Sequence, residues 1–154
     1  MLIVQVTNLD KLAKLAETAP HLAESHINKA IQRGLVAILA EQKKGAPVGV
    51  NAHLRDRWEI QMQRFAGTLR SQVPYGMAVV QGSRPHYVSG NNPQLRAWAE
   101  KKGLNSWAVA KSIQKKGTRA NPYTTVAIQQ GKTQVEKEFD TAIKNIISDI
   151  ARQF

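Results

Sequence analysis

Two apolar stripes at helical spacing, one towards each end of the chain, constrain the fold more than any other feature. Ile27, Ile31, Leu35 and Ile38 recur at intervals of three or four, and Ala30, Gly34 and Leu39 widen that stripe. Val135, Phe139, Ile143, Ile146, Ile147 and Ile150 form a second one. Such a stripe lies on one face of an α-helix and needs an apolar surface opposite it. Two of them in a chain of 154 residues predict two long helices around a common core, in one domain spanning residues 1–154. The first helix is expected to open at Thr18-Ala19-Pro20, with Thr18 or Ala19 as cap and proline in the first turn. Lys43-Lys44-Gly45 ends it, with cations over the last carbonyls and glycine as the stop. Its span is then roughly 36 Å at ~1.5 Å per residue. Gly131 is expected to interrupt the start of the second.

Elsewhere the period is two. Leu2, Val4 and Val6 alternate with Ile3, Gln5 and Thr7 and predict an opening strand; Asn8 or Asp10 then caps a short helix carrying Leu9, Leu12 and Leu15. Trp58, Ile60 and Met62 alternate with Glu59, Gln61 and Gln63, as in a half-buried antiparallel strand. Phe65-Ala66-Gly67-Thr68 breaks the parity and reads as a turn or bulge before a returning strand with Leu69, Ser71 and Val73, which Pro74 ends. Tyr75 to Gln81 fits a short helix or an extended edge. Ser83 to Asn92 is a Gly-, Pro-, Ser- and Asn-rich loop. Two short helices, 93–102 and 105–116, follow, hinged at Gly103, and Trp98 and Trp107 are expected to pack this pair onto the sheet. After a loop from Gly117 to Pro122 comes the last helix. The predicted class is α+β: a small antiparallel sheet packed against two long helices, with a helical-pair insertion at about 93–116.

Charge is unevenly spread. The net charge of +11 comes from 22 Lys and Arg against 11 Asp and Glu, yet residues 1–41 and 120–154 each hold four bases and four acids. The surplus lies within 42–119, and 82–119 alone has eight basic residues against a single acid, Glu100. A bias confined to the middle of one domain reads as a directed surface for an acidic or nucleic-acid partner.

Standard catalytic and cofactor patterns do not survive inspection, so no enzyme chemistry, cofactor or metal is expected. Gly131-Lys132-Thr133 looks like the end of a phosphate-binding loop, but Val126 stands where that motif needs its first glycine. His21 and His26 are five apart and do not share a helix face; with His53 and His86 they read as surface or capping residues. No Gly-x-Ser-x-Gly elbow frames a serine, and there is no cysteine for a thiol nucleophile or disulfide. Met1-Leu2-Ile3-Val4 gives way at once to polar residues, unlike a signal peptide, and the longest apolar run, Leu35 to Ala40, is too short to cross a bilayer.

A helix-turn-helix reading of 93–116 is the alternative. Ala99, Gly103, Leu104 and Val109 follow its spacing, and Lys101, Lys102, Lys111, Lys115 and Lys116 could meet phosphates. Against it, Ser112 stands where a last apolar residue is expected, with Ile113 one step off, and only Gln114 and Asn105 suit base reading.

The order of elements carries a family resemblance. Val4 to Leu15, Lys44-Gly45-Ala46-Pro47-Val48, Leu54-Arg55-Asp56-Arg57-Trp58, Tyr75 through Gln81-Gly82-Ser83, and Asn121-Pro122-Tyr123 through Ala127 succeed one another along nearly the whole chain. In this it resembles the tail-completion or minor tail proteins of long-tailed bacteriophages, which occupy the head–tail junction. Ala52 stands where those proteins usually have a glycine, and Gln81 where they have a glutamate; these departures bear on turn geometry and subunit contacts. The resemblance implies a non-catalytic virion protein, built into a ring as a homo-oligomer, with other phage neck and tail proteins as partners and no membrane association. Arg55, Trp58, Tyr75, Gln81, Pro122 and Tyr123 are then the expected interface or packing residues. Arg57, Arg84, Lys101, Lys102, Lys111, Lys115, Lys116 and Arg119 are the expected contacts to DNA, without sequence preference, or to an acidic partner.

Overall fold

The computed structural model describes residues 3–5 and 20–152. The predicted short helix with Leu9, Leu12 and Leu15, its caps Asn8 and Asp10, and the cap at Thr18 or Ala19 lie outside the described residues.

The fold is α+β, with a small antiparallel sheet beside two long helices. The strands are β1 (Ile3–Gln5), β2 (Trp58–Gln63) and β3 (Ala66–Ser71). β3 is central, pairing antiparallel with β1 on one side and β2 on the other. The long helices are α1 (Pro20–Gly45) and α6 (Tyr123–Ala151), which pack against each other along their length. Between them come α2 (His53–Asp56), α3 (Gly76–Gln81), α4 (Pro93–Lys101) and α5 (Ser106–Lys116).

Both stripes meet in the main core. Ile27, Ile31, Leu35 and Ile38 of α1 are buried against Ile146 of α6 and Leu69 of β3, with Val135, Phe139, Ile143 and Ile150 packed around them. Leu69 faces Ile60 across the sheet, so the alternation in β2 and β3 turns one sheet face onto α1. Ile147 belongs to the predicted stripe but is 55% exposed: it sits one position past Ile146 and so points away from α1. Gly131 does not interrupt α6. It is buried inside the helix, where the lack of a side chain lets Ile38 approach.

A second, smaller core joins Ala46, Leu54, Val73 and Tyr123, with Met77, Val79 and Val80 of α3 against them. Tyr75 to Gln81 is thus a helix rather than a sheet edge, because its valines are drawn into this cluster. Trp58 contacts both cores, and its Nε1–H donates to the carbonyl of Leu54 at 2.9 Å.

The hairpin differs from expectation. Ala66, Gly67 and Thr68 are already in β3, and the turn consists of Arg64 and Phe65. Phe65 takes a left-handed conformation (φ 57°), held because its N–H donates to Asn28 Oδ1 of α1 at 3.0 Å and its ring packs on the main core. A tertiary anchor thereby overrides the local preference for glycine at such a position.

Candidate functional site

The predicted helical pair forms a locally encoded module. Asn92 caps α4, its Oδ1 accepting from the N–H groups of Gln94 and Leu95 at 3.0 and 3.1 Å, with Pro93 in the first turn. Asn105 caps α5 in the same way, accepting from Trp107 and Ala108 at 2.9 and 3.1 Å. The connecting turn closes through the Leu104 N–H, which donates to the Ala99 carbonyl at 2.8 Å. Two small residues, Ala99 and Ala110, are the buried ones of the pair and let the helices approach closely. Leu104, expected to lock the pair, is half exposed, and Ser112 is exposed while Ile113 turns partly inwards.

This module joins the body through a narrow neck. Ser83 and Thr118 pair as an isolated antiparallel bridge, N–H to carbonyl in both directions at 3.1 and 3.0 Å, with their hydroxyls 2.9 Å apart. Gly82 and Gly117 flank the bridge with φ of 76° and 73°. A Cβ on Gly82 would come 2.5 Å from the Thr118 carbonyl oxygen, and one on Gly117 would run into the Ser83 carbonyl. Among the described residues, neither hydrophobic core includes a residue of α4 or α5. Trp98 and Trp107 therefore do not pin the pair to the sheet. Trp107 lies over Gly90 instead, whose missing Cβ makes room for the indole, and it is 56% exposed.

The module carries most of the charge. Residues 82–119 contribute +7 (eight bases, one acid) and the remainder of the chain +4 (14 bases, ten acids). Arg84, Lys101, Lys102, Lys111, Lys115, Lys116 and Arg119 are all exposed and form no ion pair among the described residues. Lys101, Lys115 and Lys116 stand in last helical turns, where cations are favoured for helix stability alone. Lys111 has no such local reason. It sits mid-helix, one turn beyond Trp107 and one before Lys115, on the exposed side of α5. Arg57 is exposed too but belongs to the body, ahead of β2.

Known proteins offer no guide to the site. No family model, curated protein or solved structure matches the chain.

The six expected interface residues gather elsewhere, around the second core. The Asn121 N–H donates to the Val79 carbonyl at 3.0 Å, joining the segment of Pro122 and Tyr123 to that of Tyr75 and Gln81. Tyr75 is half exposed, and Gln81 and Pro122 are exposed. Of the two roles expected for Tyr123, packing or interface, the structure shows packing: only 4% exposed, it fills the second core. Burial, with Tyr75 as a smaller influence, pushes its phenol up to about 12. Its hydroxyl has no hydrogen-bond partner among the described residues, nor do the side-chain atoms of buried Gln42. Trp58 is half buried and engaged with Leu54. Arg55 grips Asp56 through Nε and Nη2 at 2.9 and 3.2 Å, which holds the Asp56 carboxyl below its ordinary range. Val48 and Val50, exposed in the loop after α1, and an open depression lined by Glu41, Gly45, Pro122 and Val126 complete this end of the body.

The remaining sequence motifs have structural roles. Gly131-Lys132-Thr133 lies within continuous α6, without the loop that a phosphate cradle requires. His26 Nε2 is 2.8 Å from Asp149 Oδ2, joining α1 to α6, and the His86 Nδ1–H donates to the Arg84 carbonyl at 2.8 Å. Among the described residues no three His, Cys, Asp or Glu side chains converge as a metal site would need, and no helix is long and apolar enough to cross a membrane.

Proposed function

We propose that this chain is a structural virion protein of the head–tail junction of a long-tailed phage, which completes the tail or joins it to the head as part of a ring. The observation that carries this reading is the order of elements. An opening strand, a long helix ending at Gly45, a hairpin after Leu54, a tyrosine-led short helix, a helical-pair insertion and a long closing helix from Tyr123 succeed one another. That is the sequence of parts implied by the resemblance to tail-completion proteins. The division of surfaces also suits it: one end of the body exposes Val48, Val50 and Tyr75 for neighbouring subunits, while the charge is concentrated in a separate module.

The helix-turn-helix alternative gains little support from the pair itself. The Asn105 carbonyl oxygen is committed to the cap of α5, and Leu104 is half exposed instead of locking the helices. Removing the gene from its phage or prophage tests the proposal. Filled heads and free tails should accumulate unjoined, and restoring the chain should restore joined particles. Joined, infectious particles without the chain would overturn it.

A further inference from the structure

From the exposed face of α5 we propose a second activity, which stands on the module alone and not on its place in a virion: binding of single-stranded nucleic acid without sequence preference. Three observations converge on that face. Trp107, Lys111 and Lys115 follow one another at successive turns, about 6 Å apart along the axis. The two lysines are exposed and pair with no carboxylate among the described residues. Trp107 is backed by Gly90 and has more than half of its surface in solvent.

An exposed indole seated on a glycine presents a surface on which a planar base can stack. Tyr87, 75% exposed and three residues before Gly90, adds a second aromatic ring from the adjoining loop. Cations alone would suit any polyanion. An aromatic ring on the same face narrows the choice, because unpaired bases present faces that stack on an indole whatever their sequence. In a duplex those faces are hidden, and phosphates alone would meet the lysines. Gln114, exposed about one turn beyond Lys111, supplies a neutral hydrogen-bonding group.

The test uses the full-length chain and two fluorescent probes of about 20 nucleotides, oligothymidylate and a mixed-sequence duplex. Oligothymidylate should bind more tightly. Trp107→Ala should weaken that binding about tenfold and change duplex binding by less than about twofold, whereas Trp107→Phe should retain most of the affinity. The double variant Lys111→Ala/Lys115→Ala should lower the slope of log affinity against log salt by about 1.4, which corresponds to two phosphates on a single strand. Circular dichroism of each variant should match that of the parent, since none of the three side chains belongs to a core. Preference for the duplex, or indifference of oligothymidylate binding to Trp107→Ala, would overturn the proposal. So would absence of binding to both probes at low salt, which would leave an acidic protein as the occupant of this face.

Discussion

Gly131 of α6 lies against Ile38 of α1 so closely that a Cβ built on the glycine would be 2.9 Å from Ile38 Cγ1 and 3.3 Å from its Cα. Because the Cα is part of the obstacle, a rotamer change at Ile38 cannot clear the space. Gly131→Val should therefore push the long helices apart and cost about 2 kcal/mol, even though glycine is the poorer helix former. Thermal unfolding should record a fall in Tm of roughly 4–8 °C for a protein of this size. An unchanged or higher Tm would show that this crossing is loose.

Ala52 caps α2 with φ 51° and ψ 14°, a left-handed conformation that costs a β-carbon-bearing residue ~1–2 kcal/mol. The tail-completion proteins that the sequence resembles usually place glycine here. Ala52→Gly should relieve the strain and, after the extra flexibility of the unfolded chain is set against it, stabilise the protein by up to about 1 kcal/mol. Urea denaturation should show a higher midpoint with the slope unaltered.

Tyr123 links stability to alkaline pH. In the unfolded chain its phenol ionises near 10.0, while burial holds it at about 12 in the fold. Between these values the unfolded state releases its proton first, so stability is complete below pH 10 and falls as pH rises through 10 towards 12, by roughly 2 kcal/mol. Tyr123→Phe should flatten this fall. At neutral pH it should leave stability unchanged or slightly higher, because the lost hydroxyl has no partner among the described residues. Chemical denaturation across pH 8–11.5 measures both effects.

Ser83 and Thr118 pair across the neck, so everything between Arg84 and Gly117 is a closed excursion from the body. Replacing that segment with a two-residue linker removes seven bases and one acid and lowers the net charge from +11 to +5. The body should still fold, with its Tm within a few degrees of the parent, because neither core contains a residue of the excised helices. Failure to fold would mean that the module is a structural brace. Gly117→Ala should be more harmful locally than its size suggests, since φ is 73° and the new methyl would meet the Ser83 carbonyl.

The two helical stripes were legible because burial alone decides them: Ile27, Ile31, Leu35 and Ile146 are almost fully enclosed. The helical pair was legible for a local reason, asparagine caps before short amphipathic runs. What escaped the sequence depends on contacts distant along the chain. Phe65 holds a left-handed turn because Asn28, 37 residues earlier, accepts its N–H. Trp107 reads as a core residue by type, and only its seat on Gly90, in a loop before α4, shows that it faces solvent. Ser83 and Thr118, 35 apart, carry no pattern that foretells their bridge, although the glycines next to each could have marked a tight crossing. The motif left Tyr123 between packing and interface, and only the closing of α6 onto Ala46 and Leu54 decides for packing.

Cryo-electron microscopy of tailed phage particles produced by cells that carry the gene is the most direct test of the proposed role. The account predicts a ring of these subunits between head and tail, with Val48, Val50 and Tyr75 against neighbouring subunits. A complete reconstruction of the junction in which every density belongs to other proteins would contradict it.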